Sequence, residues 1–375
     1  MITRLHKLNT SLSILQEIPS TFFMEIENST AFGNHLFPAW MDGVFGATSL
    51  NKKFEAVYNK YKAIRTKANR DKIVNAFTHN NRIEDLCNNQ AGTLIIELND
   101  LPKSIHKELD TLFLHLYNSA LNYHLFQSHV TDSLKDSIDR FIRENGLEVC
   151  PFCGLEGFLN IEGQSRIALD HWLCKDLFPM SAVNFDNLFP IGHDCNGRAT
   201  KGSKNILIDN PTSKTRVKAY YPYLAHDGIT TSFGFVNEPT IHGISDEDWN
   251  YTLEPRNIAE QDIFDSWCST LNIPTRYLDY HRKNIFPLWE ADYKRFIEDD
   301  HDIEHAQTID ELRSNFRIWK ASFPTKGRPG AILYRSFIDY LINRASNAYL
   351  YGLCENFKRY GLPNKFGTNL IKPLC

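Results

Sequence analysis

The sequence predicts an α+β protein, with mainly helical regions at both ends, a central module of two short strands and a helix held by cysteines, and a small β-sheet after it. Three observations carry this reading. Apolar residues recur at helical intervals before residue 145 and again from Ile258 onward. Aromatic, alternating segments bounded by turn residues fill 217–255. Between them, the run from Cys150 to Gly202 gathers Cys, Asp, His and Asn at short, patterned spacings. The implied division is 1–145, 146–205 and 206–375.

In the first region Phe54, Val57, Tyr58, Tyr61 and Ile64 recur at three- and four-residue intervals, the mark of a helix that buries one side and shows its lysines on the other. Leu101-Pro102 precedes a second periodic stretch, Ile105 to Tyr123, whose stripe contains Leu109, Leu112, Phe113, Leu116, Tyr117 and Leu121. Such stripes are core far more often than ligand sites, so this one is assigned scaffolding. Thr131 to Glu144 gives a third helix, with Asp132 and Ser133 as caps.

The central run carries the chemistry. Gln164 to Leu169 suits a short strand, and Asp170-His171 follows it, so the two side chains leave on opposite faces of the pleat. One can bind metal while the other meets water. Asn187-Leu188-Phe189-Pro190 reads as the return strand, with Asn187 placed to fix the imidazole tautomer of His171 by a hydrogen bond. Asn196 falls on the first turn of a helix across the strands, where it can complete a metal site with Asp170. Cys150 and Cys153 present two thiolates to one tetrahedral ion around Pro151-Phe152. Cys195 supplies a third ligand. For the fourth, His193 is favoured and Cys174 is the alternative; buried thiols without metal are the rival reading of the Cys150–Cys153 pair.

CPFCG at 150–154, LDH at 169–171 and NLFPIGHDCNGRATKG at 187–202 together resemble the HNH endonuclease family, the ββα-metal fold in its zinc-knuckle subgroup. The resemblance implies Asp170 and Asn196 as ligands of a catalytic Mg²⁺ or Mn²⁺, His171 as general base and Asn187 as the residue orienting it. It also implies Lys201 as a basic catalytic residue near the phosphates and a structural Zn²⁺ on the cysteines. The chain departs from the family at Gly192, where many relatives carry the first Cys of a second C-x-x-C. The expected function is hydrolysis of phosphodiester bonds in DNA, with RNA not excluded. The helical extensions look like those of nuclease subunits in bacterial antiphage systems such as Septu or retron effectors, where an ATPase or sensor partner restrains the nuclease. Two rivals stand beside this: a zinc-stabilised nucleic-acid-binding or assembly protein with an inactive module, and a stand-alone restriction or homing-type nuclease.

Beyond the motif, 217–226, 230–237 and 249–255 alternate like strands separated by Asp-Gly and Pro-containing turns. Tyr220, Tyr221, Tyr223 and His226 suit a half-buried strand, or a nucleic-acid groove. Helices follow at Ile258 to Leu271, Tyr277 to Glu298, Ile309 to Ala321 and Ala331 to Lys358. Lys326-Gly327-Arg328-Pro329-Gly330 matches the core of minor-groove AT-hook segments and equally an ordinary turn before a helix; the turn is preferred.

The net charge of −4 is awkward for a protein acting on a polyanion, because non-specific affinity comes mainly from Lys and Arg. Local runs differ. Between Asn51 and Lys72 there are eight Lys or Arg residues, and between Gly197 and Lys218 six, against Asp209 alone. Arg198, Lys201, Lys204 and Lys218 of the second run are the expected nucleic-acid contacts, while the acidic 297–311 confines binding to one face. Eight cysteines with one patterned pair fit reduced thiols and a metal site. Neither a signal peptide nor a membrane span is expected, and the reading is a cytoplasmic protein.

Overall fold

Aromatic packing builds the helical layer that carries the central module. In chain order the helices are α1 (Glu17–Glu25), α2 (Ser49–Ala63), α3 (Lys67–Asn80), α4 (Ile83–Cys87), α5 (His106–Ser119), α6 (His124–Gln127) and α7 (Leu134–Glu144). Phe22 and Phe23 of α1 meet Phe54 of α2, Phe77 of α3 and Phe113 of α5, with ring centroids 4.8 to 6.2 Å apart. Burying each such ring is worth about 1.5–3 kcal/mol, so the stripe read from α2 is what fixes the layer. Ser133 caps α7 by accepting from the amide of Asp136 at 3.0 Å.

The computed structural model describes residues 4–41, 49–120, 124–158, 169–209, 212–239, 249–299, 303–323 and 327–359. It comprises two compact units, Met1–Gly228 with Asn257–Ile273, and Ile229–Arg256 with Pro274–Cys375. The three-part division expected from the sequence therefore shifts. Met180, Ala182 and Val183 belong to the same core as the N-terminal helices, so no boundary falls near 145.

Within the first unit, β1 (Leu169–His171) pairs antiparallel with β2 (Leu188–Pro190), placing Asp170 opposite Phe189 and His171 opposite Leu188. Residues 164–168 of the expected first strand lie outside the described residues. The one-turn helix α8 (His193–Asn196) follows β2. Trp172 wedges the hairpin, edge-on to Phe189 and Tyr220 with its Nε1 donating to the Tyr220 carbonyl at 2.7 Å. The segment 217–226 is not a strand: it turns at 222–224, and its backbone bonds go singly to Leu5, Cys87 and Leu207 rather than along one partner. Tyr220, Tyr221 and Tyr223 are all buried, which breaks the alternation a half-buried strand needs, and Pro222 offers no N–H. Their burial also removes them as a stacking surface for bases.

The second unit contains the small sheet, β3 (Ile229–Phe235) antiparallel to β4 (Trp249–Pro255) along their full lengths. Helix α9 (Gln261–Leu271) belongs to the first unit, and α10 (Ile273–Tyr280) begins at the junction. Then come α11 (Trp289–Asp299), α12 (Ile309–Ser322), α13 (Ala331–Asn343) and α14 (Asn347–Arg359). Two helices expected as continuous are broken. The stretch from Tyr277 becomes π-helical at His281–Ile285 and restarts after Pro287, while Arg344–Ser346 separates α13 from α14. Gly330 enters α13 at φ 71°, and Arg328 lies over the rings of Phe323 and Tyr334 at 4.7 and 5.3 Å, so this segment is a turn. Lys326 lies outside the described residues. Among the described residues no helix is long and apolar enough to cross a membrane.

Candidate metal and catalytic site

His171 is buried, and its Nε2 lies 2.9 Å from the carbonyl oxygen of Ala182. A carbonyl can only accept, so Nε2 carries the proton and Nδ1 is left with the basic lone pair. The ring sits 4.5 Å from Tyr117 of α5, whose hydroxyl donates to the Leu169 carbonyl at 2.9 Å. Burial pulls the imidazole down to about 4, opposed in part by the Ala182 bond and the neighbouring Asp170 charge. The ring is therefore neutral, as a base must be, across the neutral range.

Asn187 does not reach the imidazole, contrary to the sequence expectation. It is fully buried and grips backbone instead, accepting from Leu173 N at 2.7 Å and donating to Leu173 O at 3.1 Å and Ser181 O at 3.3 Å. Its own carbonyl accepts from Trp172 N at 2.8 Å. These bonds fasten the two ends of the loop that delivers the Ala182 carbonyl. Asn187 thus positions His171 through main chain.

Asp170 and Asn196 do converge. With its oxygen toward Asp170 the Asn196 amide would face only acceptors; with its nitrogen there it donates to the two carboxylate oxygens at 3.1 and 3.0 Å. Neighbouring oxygen ligands of an octahedral cation at about 2.1 Å lie about 3 Å apart, so the spacing fits a shared small divalent ion that would turn the amide oxygen inward. Thr200 fixes this corner, its hydroxyl lying among the carbonyls of Asp194, Cys195 and Gly197 at 2.5 to 2.9 Å. Lys201 is also drawn in. Its side chain is 1% exposed and its Nζ lies 2.6 Å from Asp170 Oδ2, so it is a buried partner of the Asp170 carboxylate rather than a surface phosphate contact.

The other basic residues are less available than their count suggests. Lys204 donates to the Thr270 carbonyl at 3.2 Å, Lys214 faces Glu97 and Asp100, and Arg216 donates to the Thr93 carbonyl. Arg198 and Lys218 stay exposed. Lys175, which the sequence did not single out, is exposed and stands 5.8 Å over the Tyr117 ring beside His171.

Cys150, Cys153 and Cys195 are buried with their sulfurs within 4.8 Å of one another, a group able to hold a metal ion such as zinc. Backbone amides point at two of them, Gly192 N to Cys150 Sγ at 3.3 Å and Leu155 N to Cys153 Sγ at 3.4 Å. Burial pushes the Cys150 thiol well up, and the two neighbouring sulfurs push it further, a conflict that a dication would reverse. His193 is not among them. Its side chain is 95% exposed, because the first residue of α8 points away from the knuckle. Cys174 is elsewhere too, its Sγ donating to the Ser203 carbonyl at 3.4 Å. Glu156 occupies the space beside Gly192, and its Oε1 and Oε2 accept from His193 N at 2.9 Å and Asp194 N at 3.1 Å.

Sequence reasoning missed three partners of this site. The Ala182 carbonyl has no side-chain signature, and Tyr117 sits in a stripe indistinguishable from core. Glu156, which accepts from the two amides at the start of α8, carried no spacing pattern that would single it out. Compared with protein-family models, curated proteins and solved structures, the chain matches none.

Proposed function

We propose that this chain is a metal-dependent endonuclease of the HNH, ββα-metal class that hydrolyses phosphodiester bonds in DNA. The observation carrying the proposal is the convergence of the Asp170 carboxylate and the Asn196 amide next to an imidazole whose Nε2 is committed to Ala182. His171 Nδ1 takes the proton from water as its oxygen attacks phosphorus and the bond to the leaving oxygen breaks. Asp170 and Asn196 would hold Mg²⁺ or Mn²⁺, which supplies charge neutralisation at the phosphate. Tyr117 and the Asn187-clamped loop keep the imidazole aimed, while Cys150, Cys153 and Cys195 would brace the module with Zn²⁺.

The buried Lys201 favours one rival, a module whose metal site is closed by an internal ammonium. Cleavage decides between them. Supercoiled plasmid with Mn²⁺ should be cut by the wild-type chain, with activity lost in EDTA and reduced roughly 10²–10⁴-fold in His171→Ala. Equal cutting by both proteins would contradict the role of His171, and no cutting of DNA or RNA by wild type would favour the inactive module. The tethering of most local Lys and Arg is consistent with a bacterial antiphage effector that borrows part of its grip from an ATPase or sensor partner. Co-purification from the native operon tests that extension.

A further inference from the structure

We propose that Lys175, rather than Lys201, is the cation that binds a DNA phosphate beside His171; this rests on the nuclease reading above and names a side chain that would hold its substrate. The turn that follows β1 is fastened on both sides of Lys175. Asn187 holds both main-chain groups of Leu173, and the Cys174 thiol donates to the Ser203 carbonyl at 3.4 Å. Asp176 accepts from the Ser203 hydroxyl at 2.5 Å, and the Leu177 carbonyl accepts from Leu98 N at 2.8 Å. Lys175 itself is exposed, and it makes no hydrogen bond or ion pair with the described residues. Its Nζ stands 5.8 Å over the Tyr117 ring, and the same ring lies 4.5 Å from the His171 imidazole. The Tyr117 hydroxyl donates to the Leu169 carbonyl, so the ring beneath the ammonium is held in place. Charge at the site points the same way. Lys201 is buried against Asp170, and each cancels the other. Lys175 can therefore meet a phosphate oxygen next to the imidazole without first breaking an ion pair, from a backbone that is already fixed.

Binding of a fluorescent DNA duplex, followed by anisotropy in EDTA so that nothing is cut, tests the contact across a range of KCl concentrations. Lys175→Ala should weaken binding roughly tenfold at low salt and reduce the slope of log affinity against log salt by about one. Lys175→Arg should keep both. Because the side chain is exposed, the Tm of Lys175→Ala should stay at the wild-type value. With Mn²⁺ added, KM for plasmid cleavage should rise by a similar factor while kcat changes less. Unchanged affinity and salt slope in Lys175→Ala would overturn the proposal, and cutting by the wild type would show that the nuclease reading survives it. A wild type that binds through Lys175 but never cuts would support the contact and sink the nuclease reading. One that neither binds nor cuts would sink both.

Discussion

At the scale of single residues, the site is a contest of charges around Asp170. Its carboxylate faces the Asn196 amide on one side and the buried Lys201 ammonium on the other, so under the proposed function a divalent ion would have to displace or share with an existing cation. Replacing Lys201 by Met leaves a half-buried carboxylate without its ammonium, a loss of about 3 kcal/mol. Thermal melting should show that loss in EDTA and its recovery in excess Mn²⁺, with a larger metal-induced rise in Tm than in wild type. An equal rise in both proteins would mean that Lys201 does not compete for the site. The convergence of Asp170 with Asn196, and of the three cysteines, was legible from the motif spacing, because the short hairpin and the one-turn helix bring those side chains together. The partners that set their chemistry were not. A backbone oxygen such as that of Ala182 carries no residue type, and the burial of Lys201 depends on contacts that its own sequence neighbourhood does not specify.

At the scale of elements, the hairpin works because its connecting loop is clamped. Asn187 satisfies both the N–H and the C=O of Leu173, which would otherwise be buried without partners. Asn187→Ala should lower unfolding free energy by about 3 kcal/mol, measured by urea denaturation, and reduce cleavage by releasing the Ala182 carbonyl from His171. Unchanged cleavage in a stable variant would separate the clamp from the imidazole. The pairing of β3 with β4 was readable because Phe233 and Phe235 alternate with polar residues and meet a matching partner strand. The Tyr220 segment was misread for the opposite reason: its tyrosines are buried on both sides of the chain by Trp172, Phe189 and Phe141. The helix break after Ile285 follows Pro287, a signal the periodicity of the flanking residues outweighed.

At the scale of the whole molecule, each unit buries a histidine that must stay neutral. In the second unit His281 is fully buried in the π-helical turn, 4.4 Å from the Phe233 ring, and neither ring nitrogen has a hydrogen-bond partner among the described residues. Burial lowers it from 6.5 to about 3. Between those values the unfolded chain binds a proton that the folded unit refuses, so this stability is complete above pH 6.5 and is lost as pH falls. By pH 4 the loss should reach about 3 kcal/mol, and His281→Leu should remove it in pH-dependent denaturation. The same pH slope in that variant would assign acid sensitivity to other groups. The division into two units was only partly legible, because the core containing Met180, Ala182 and Val183 joins segments whose distance along the chain no local pattern reveals. The most direct test of the account is a crystal soaked in Mn²⁺ and measured at the manganese absorption edge. The account predicts an anomalous peak between the Asp170 carboxylate and the Asn196 amide oxygen, within about 2.3 Å of both. Saturating Mn²⁺ with no peak there, or a peak held by other residues, would contradict it.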